Sequence, residues 1–369
     1  MRIRPFIAST FLASIALAAA SAPFHHAWAE DTPRFFRIGT AAITGTYFQI
    51  GAEIANAISK PPGARDCERG GSCGVPGLVA VAQATQGSVA NVLAVGAGQI
   101  EGAFAQADIV TWAYRGEVPV IPPSKACRGS SAATQNAVVP LAKTGPLRNL
   151  RVIAALYPEA VHIVARIGSG VRTLADLKGK TVALGEPGSG TLAEARLILH
   201  ASGLQECQIK AQYPRLSDAT ALIESNKLDA FFLMAGAPVP AIVDAASMAR
   251  VRLLPIAGKP RDTLIHTYPF IAATIIPGAT YPGIDGETPT IAAPALFVVS
   301  AAVPDDLVYG ITKALWQDAT RRLLDNGHPA GKAIRIETAL QGVAIPLHPG
   351  AARYYTERGL TLPETLASP

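Results

Sequence analysis

The side chains best placed for chemistry lie in residues 185–199, Gly-Glu-Pro-Gly-Ser-Gly-Thr-Leu-Ala-Glu-Ala-Arg-Leu-Ile-Leu, which follow a short apolar run at 180–184 and open a periodic helix. A strand, a glycine turn and a helix start make an anion site. The first N–H groups of a helix have no partner within it and point at whatever precedes the first turn. Glu186, Gly188, Ser189, Gly190 and Thr191 form this turn, and the two hydroxyls add donors. The spacing invites comparison with a phosphate-binding loop. Such a loop, however, needs Lys where Thr191 stands and a magnesium-binding hydroxyl where Leu192 stands. A carboxylate or another small anion fits this turn better than ATP.

Other polar residues cluster at element ends. Thr44, Gly45, Thr46 and Tyr47 sit at one helix start, where backbone donors and a hydroxyl-tipped ring can face a ligand; the alternative is helix capping with a core Tyr. Ser88 and Asn91 lie within one turn of a second start. Capping alone accounts for Ser88, and Asn91 in a first turn is less economical as structure. Gln106 and Asp108 end a strand and either line a cleft or hold a turn. Tyr157 and Glu159 fall in a suspected hinge, Tyr157 placed to stack on a solute and Glu159 to brace the hinge rather than touch a ligand. His162 reads as a satisfied strand histidine in preference to a pH switch. Gly236, in Ala-Gly-Ala-Pro at 235–238, lets backbone approach a ligand or merely turns the chain.

These elements belong to a recurring pattern. Strands are expected near 37–39, 79–84 and 103–107, each followed by a helix, and then a Pro/Ser/Gly-rich connection at 119–145. A second series follows: apolar runs at 152–156 and 161–166 broken at Tyr157-Pro-Glu159, a short helix at 174–179, and strands near 180–184, 209–213, 230–234 and 252–256 alternating with helices. Another run at 290–300 precedes a long final helix through Trp316 and Leu324, capped by Asp305 and Asp306. The alternation predicts an α/β fold with parallel sheets. If the 290–300 run returns to the first series, two strands cross between two lobes, giving a hinged clamshell with separate sheets. The boundaries are 30–161 and 294–369 for one lobe and 162–293 for the other. Ligands of open α/β sheets bind at the carboxyl ends of strands.

Arg2 and Arg4, an apolar stretch at 6–20 and Ala27-Trp28-Ala29 read as a secretory signal peptide over residues 1–29, cleaved near Ala29. The stretch is short for a membrane span. The chain is therefore expected in the periplasm, as a monomer. Losing Arg2 and Arg4 lowers the net charge from +5 to +3. With basic residues scattered and no aromatic array, nucleic acid is not an expected partner. Four cysteines in an oxidising compartment suggest disulfides: Cys67 and Cys73 flank a flexible five-residue stretch and are expected to pair, which leaves Cys127 and Cys207. Reduced thiols are the alternative, and scattered histidines argue against zinc. Neither Ser88, Ser169 nor Ser189 sits in a G-x-S-x-G elbow, Gly96 to Gly102 has one residue too many for a G-x-G-x-x-G turn, and no motif supplies an acid–base pair, so no enzyme and no cofactor are expected.

One combination spans nearly the whole chain in order. It comprises Ile38-Gly-Thr-x-x-x-Thr-Gly-Thr-Tyr47, Thr85-Gln-Gly-Ser-Val-Ala-Asn91, Ala105-Gln-Ala-Asp108, Ala155-Leu-Tyr-Pro-Glu159, Asp176-Leu-Lys-Gly-Lys180, Gly185-Glu-Pro-Gly-Ser-Gly-Thr191 and Ile345-Pro-Leu-His-Pro-Gly350. It resembles the TAXI family, the extracytoplasmic solute receptors of tripartite ATP-independent periplasmic (TRAP) transporters. The resemblance implies a two-lobed protein that captures a small anionic solute, such as glutamate, a related amino acid or a dicarboxylate, and delivers it to an ion-driven permease. Ala41-Ala42-Ile43 stands where many relatives have glycines, which narrows the first-lobe wall. A sensory receptor serving a signalling partner is the alternative role.

Overall fold

The computed structural model describes residues 32–122, 125–127, 135–136, 139–248 and 250–367. The segment read as a signal peptide lies outside them, as do residues 123–124, 128–134 and 137–138 of the Pro/Ser/Gly-rich connection.

Ten strands carry the fold, in chain order β1 (Arg34–Gly39), β2 (Leu78–Gln83), β3 (Gly102–Gln106), β4 (Leu150–Arg166), β5 (Thr181–Ala183), β6 (Lys210–Gln212), β7 (Ala230–Ala235), β8 (Val251–Leu253), β9 (Ala272–Ile276) and β10 (Thr288–Ser300). The helices that bear on the site are α1 (Thr46–Ile58), α2 (Ser88–Gly96), α3 (Ala107–Arg115), α4 (Gly190–Ala201), α5 (Leu216–Glu224), α6 (Pro240–Met248) and α7 (Lys259–Thr267), followed by α8 (Asp305–Leu315), α9 (Asp318–Asn326) and α10 (Pro349–Glu357). Along the sheet the order is β6-β5-β7-β4-β10-β3-β1-β2, with β8 on β4 and β9 on β10.

The two long strands, β4 and β10, run antiparallel through the middle. Their opposite ends carry different neighbours: β3 pairs with residues 295–299 of β10, and β7 pairs with residues 160–165 of β4. One wing (β3, β1, β2) and the other (β7, β5, β6) are each internally parallel, as β-helix-β connections require. This is the two-lobed α/β architecture with two crossovers. The expectation of separate sheets is corrected, because the ladder passes unbroken from wing to wing through β4 and β10.

A further correction concerns Tyr157-Pro-Glu159. The strand does not break there but runs from Leu150 to Arg166. Pro158 lacks the N–H a ladder needs, yet it faces Pro294, and a register shift after Pro294 absorbs the two missing donors. The long final helix is also two helices. Gln317 is extended, and Thr320 Oγ1 takes up the Ala314 carbonyl at 2.6 Å. Asp305 and Asp306 do not cap: Pro304 holds the cap position, and the two acids sit in the first turn, where they favour the helix dipole. Helices α7 and α10 and strand β9 were not expected.

Burial follows periodicity. Tyr47, Ile50, Ile54 and Ile58 turn one face of α1 onto the sheet. A file of edge-to-face rings crosses the core: Phe36 to Phe297 at 6.3 Å, Phe297 to Phe104 at 5.4 Å, and Phe104 to Tyr47 at 5.7 Å. It packs the crossover strand β10, through Phe297 and Phe104, against the tyrosine that enters the site. Both cysteine pairs form disulfides, Cys67–Cys73 and Cys127–Cys207. No helix among the described residues is long and apolar enough to cross a membrane.

Candidate functional site

The carboxyl ends of the three strands in each wing meet at one cavity. After β1 come Ala41, Ala42, Gly45, Thr46 and Tyr47, after β2 Gln86, Gly87 and Ser88, and at the end of β3 Gln106. The facing wing supplies Gly185, Glu186, Ser189, Gly190 and Thr191 after β5, Pro214, Leu216 and Ala219 after β6, and Phe232 to Ala235 from β7. Glu159 enters from the crossover β4. Strand ends gather here because each crossover helix must start above the sheet edge, leaving a crevice between the two wings. The cavity measures about 80 Å³ over the positions a water centre can take. At about 30 Å³ per water in the liquid this is room for two or three waters, the scale of a small solute and too little for a nucleotide.

Three helix starts converge on it. Gly45 precedes α1 and Gly87 precedes α2, neither with a side-chain cap; Ser189 precedes α4 and accepts the Leu192 N–H at 3.2 Å. Gly87 needs its φ of 109°, which only glycine adopts freely, to turn the start of α2 toward Ser189. The N–H groups of the first turns remain without helical acceptors and concentrate positive potential on the cavity.

Opposed to these donors are two carboxyls. Glu159 is 1% exposed and accepts a hydrogen bond from Tyr47 Oη at 2.6 Å; burial pushes its acid well above the usual range, the Tyr47 bond opposes that, and Asp108 adds to it. Burial likewise raises Glu186, with Arg215 opposing. No Lys, Arg or His lines the wall among the described residues, and no group of three metal-binding side chains occurs among them. The remaining wall is apolar, mainly Leu216, Phe232 and Met234.

The wings are closed upon each other. Ala90 N donates to Gly188 O at 2.9 Å, and Thr46 Oγ1 donates to Gly236 O at 2.6 Å. Gln106 presses against Gly190 so closely that a β-carbon there would collide with its amide.

Of the residues singled out from sequence, Gly45, Thr46, Tyr47, Ser88, Gln106, Glu186, Ser189, Gly190 and Thr191 share this wall. Six others do not. Asn91 donates to Thr40 O and Phe104 O, both at 2.7 Å, and accepts from Thr85, tying the ends of β1 and β3 together. Thr44 stands beside the wall, and Asp108 lies behind it against Glu194. Tyr157 packs its ring on Gly236 behind the crossover, and Gly188 faces Gln86 at the cleft mouth. Ser189 and Thr191 are partly committed to structure: Ser189 caps α4, and Thr191 Oγ1 accepts Met234 N–H at 3.1 Å. Glu159, read as a hinge brace, is in the wall. Gln86 was missed although it adjoins the Gly87 turn, the one local signal for it. His162 is a satisfied strand histidine, bonded to Ala160 O and Tyr281 Oη.

The sequence profile of the NMT1-like family matches residues 38–128 and 126–359. Among solved structures, the chain is similar to the alkanesulfonate-binding protein SsuA from Xanthomonas axonopodis pv. citri bound to MOPS, at 17% identity over 91% of this chain and 96% of that one, with a TM-score of 0.44. An ancestral arginine-binding protein bound to arginine matches at 15% identity over 80% and 98%, TM-score 0.43. PhnD1 from Prochlorococcus marinus in complex with methylphosphonate matches at 11% over 81% and 95%, TM-score 0.44. These are likenesses of fold and carry nothing about what this chain binds.

Proposed function

Because the chain belongs to the NMT1-like family, we propose that it is a periplasmic receptor that closes two lobes, 30–161 with 294–369 and 162–293, around one small anionic solute. The observation that carries this reading is the meeting of three helix starts at one cavity between the wings that no Lys, Arg or His lines among the described residues. Backbone N–H groups and hydroxyls would then hold the anion, as helix starts do elsewhere. Two disulfides fit an oxidising compartment, in line with the leader-like first residues.

Within the anionic class, an α-amino acid suits the site better than a plain dicarboxylate. Glu159 and Glu186 offer acceptors to an ammonium group, whereas a plain dicarboxylate brings no donor to them. The TAXI-like motifs support delivery to a TRAP-type permease, with the receptor acting as a monomer.

Calorimetry with L-glutamate and with glutarate, which lacks the ammonium, tests the reading. An ammonium–carboxylate bond contributes about 1.5–3 kcal/mol, so L-glutamate should bind more than about tenfold tighter, and Glu159→Gln should narrow the gap. Glutarate binding as tightly as glutamate would defeat the amino-acid assignment. Failure of every amino acid and carboxylate to raise the melting temperature would defeat the receptor assignment itself.

A further inference from the structure

Behind the cavity wall, α3 of one wing meets α4 of the other. Asp108 and Glu194 act on each other there, 0% and 1% exposed. None of their four carboxyl oxygens accepts a well-formed hydrogen bond from the described residues. Neither group lines the cavity. Two other ionisable groups act on the pair: Glu159 from β4 bears on Asp108, and Tyr268, just beyond α7, feels both carboxyls. Tyr47 in turn holds Glu159 from α1. No Lys, Arg or His among the described residues bears on either acid. The backbone N–H groups of Asp108 and Ile109 favour the ionised Asp108 but do not offset its burial.

Two carboxylates brought together out of water cannot both stay ionised. A single proton between them supplies the missing donor and makes a strong charge-assisted bond. When the wings part, each acid faces water in the cleft and ionises at neutral pH. We infer that closing the two wings takes up one proton between Asp108 and Glu194, so that acid holds the molecule closed and alkali opens it. The closed state binds the extra proton, so closure weakens about tenfold per pH unit between the acids' open-state values and the pair's closed-state titration point, and outside that window the dependence vanishes. The inference needs the wings to separate and is independent of the solute.

The test therefore uses solute-free protein. Trp112 of α3 packs edge-on against Tyr268 at 5.9 Å and Phe270 at 5.7 Å across the same gap. With three Trp residues in the chain, Trp28→Phe with Trp316→Phe leaves Trp112 as the sole reporter. Between about pH 5 and pH 9, a range that spans the titration of buried acids, small-angle scattering should show expansion. Trp112 emission should move to the red in the same one-proton step. Asp108→Asn with Glu194→Gln should abolish the step and keep the protein compact throughout. Should that pair fail to fold, Glu194→Gln alone must displace the midpoint by more than about one pH unit, one proton's interaction being of that order. A wild-type protein whose radius and emission do not change, or a folded double variant or Glu194→Gln protein with an undisplaced step, overturns the inference.

Discussion

Single residues here divide between those that face the cavity and those that hold its wall in place, and buried titratable groups separate the two. His162 belongs to the second kind. Burial lowers its pKa to about 4, and its ring spans Ala160 O and Tyr281 Oη. Since the folded value lies below the unfolded 6.5, the stabilisation is complete above about pH 6.5. It is lost as the pH falls toward 4, amounting to about 3 kcal/mol. Thermal melts at neutral pH and near pH 4.5 should show the wild type losing more stability than His162→Gln. Equal acid losses would mean that other groups set the acid limb.

At the scale of elements, covalent links complement the sheet. Cys67–Cys73 closes a sequence separation of 6 and Cys127–Cys207 one of 80. The second fastens the connection after α3 to the turn after α4, where Gln205 Nε2 also donates to Pro122 O at 2.6 Å. In the chain-entropy picture the short link contributes about 2 kcal/mol and the long one about 4.5 kcal/mol. Denaturant unfolding of Cys67→Ser/Cys73→Ser and Cys127→Ser/Cys207→Ser proteins should rank them in that order. A reversed ranking would show that the connection holds to the second wing without its disulfide.

On the proposed reading the whole molecule is a clamp, its wings joined by a handful of hydrogen bonds besides the Cys127–Cys207 link. Thr46 Oγ1 to Gly236 O is buried, and Ala90 N to Gly188 O closes the mouth. Replacing Thr46 by Val leaves the Gly236 carbonyl unpaired when closed, a loss of about 1–3 kcal/mol that the open form avoids by exposing that group to water. Solute-free Thr46→Val protein should therefore show a larger radius of gyration than wild type by small-angle scattering. An unchanged radius would show that apolar contacts such as Trp112 on Tyr268 govern closure.

What the amino-acid order determined by itself was local: the strand-helix alternation, the Gly185–Thr191 turn, the starts of α1 and α2, and the pairing of neighbouring cysteines. These depend on backbone preference and on spacing within one turn or one strand, which reach only a few residues. Tertiary structure decided which of those groups meet. Asn91 and Ser88 share a helix start, yet Asn91 turns inward to tie β1 to β3 while Ser88 lines the cavity. Pro158 reads locally as a break, and only its opposition to Pro294 across the ladder keeps β4 whole. Glu159 and Tyr47 are 112 residues apart, and Asp108 and Glu194 lie on separate wings. Register between β4, β7 and β10 brings such groups together, and register is fixed by long-range burial that no local pattern records.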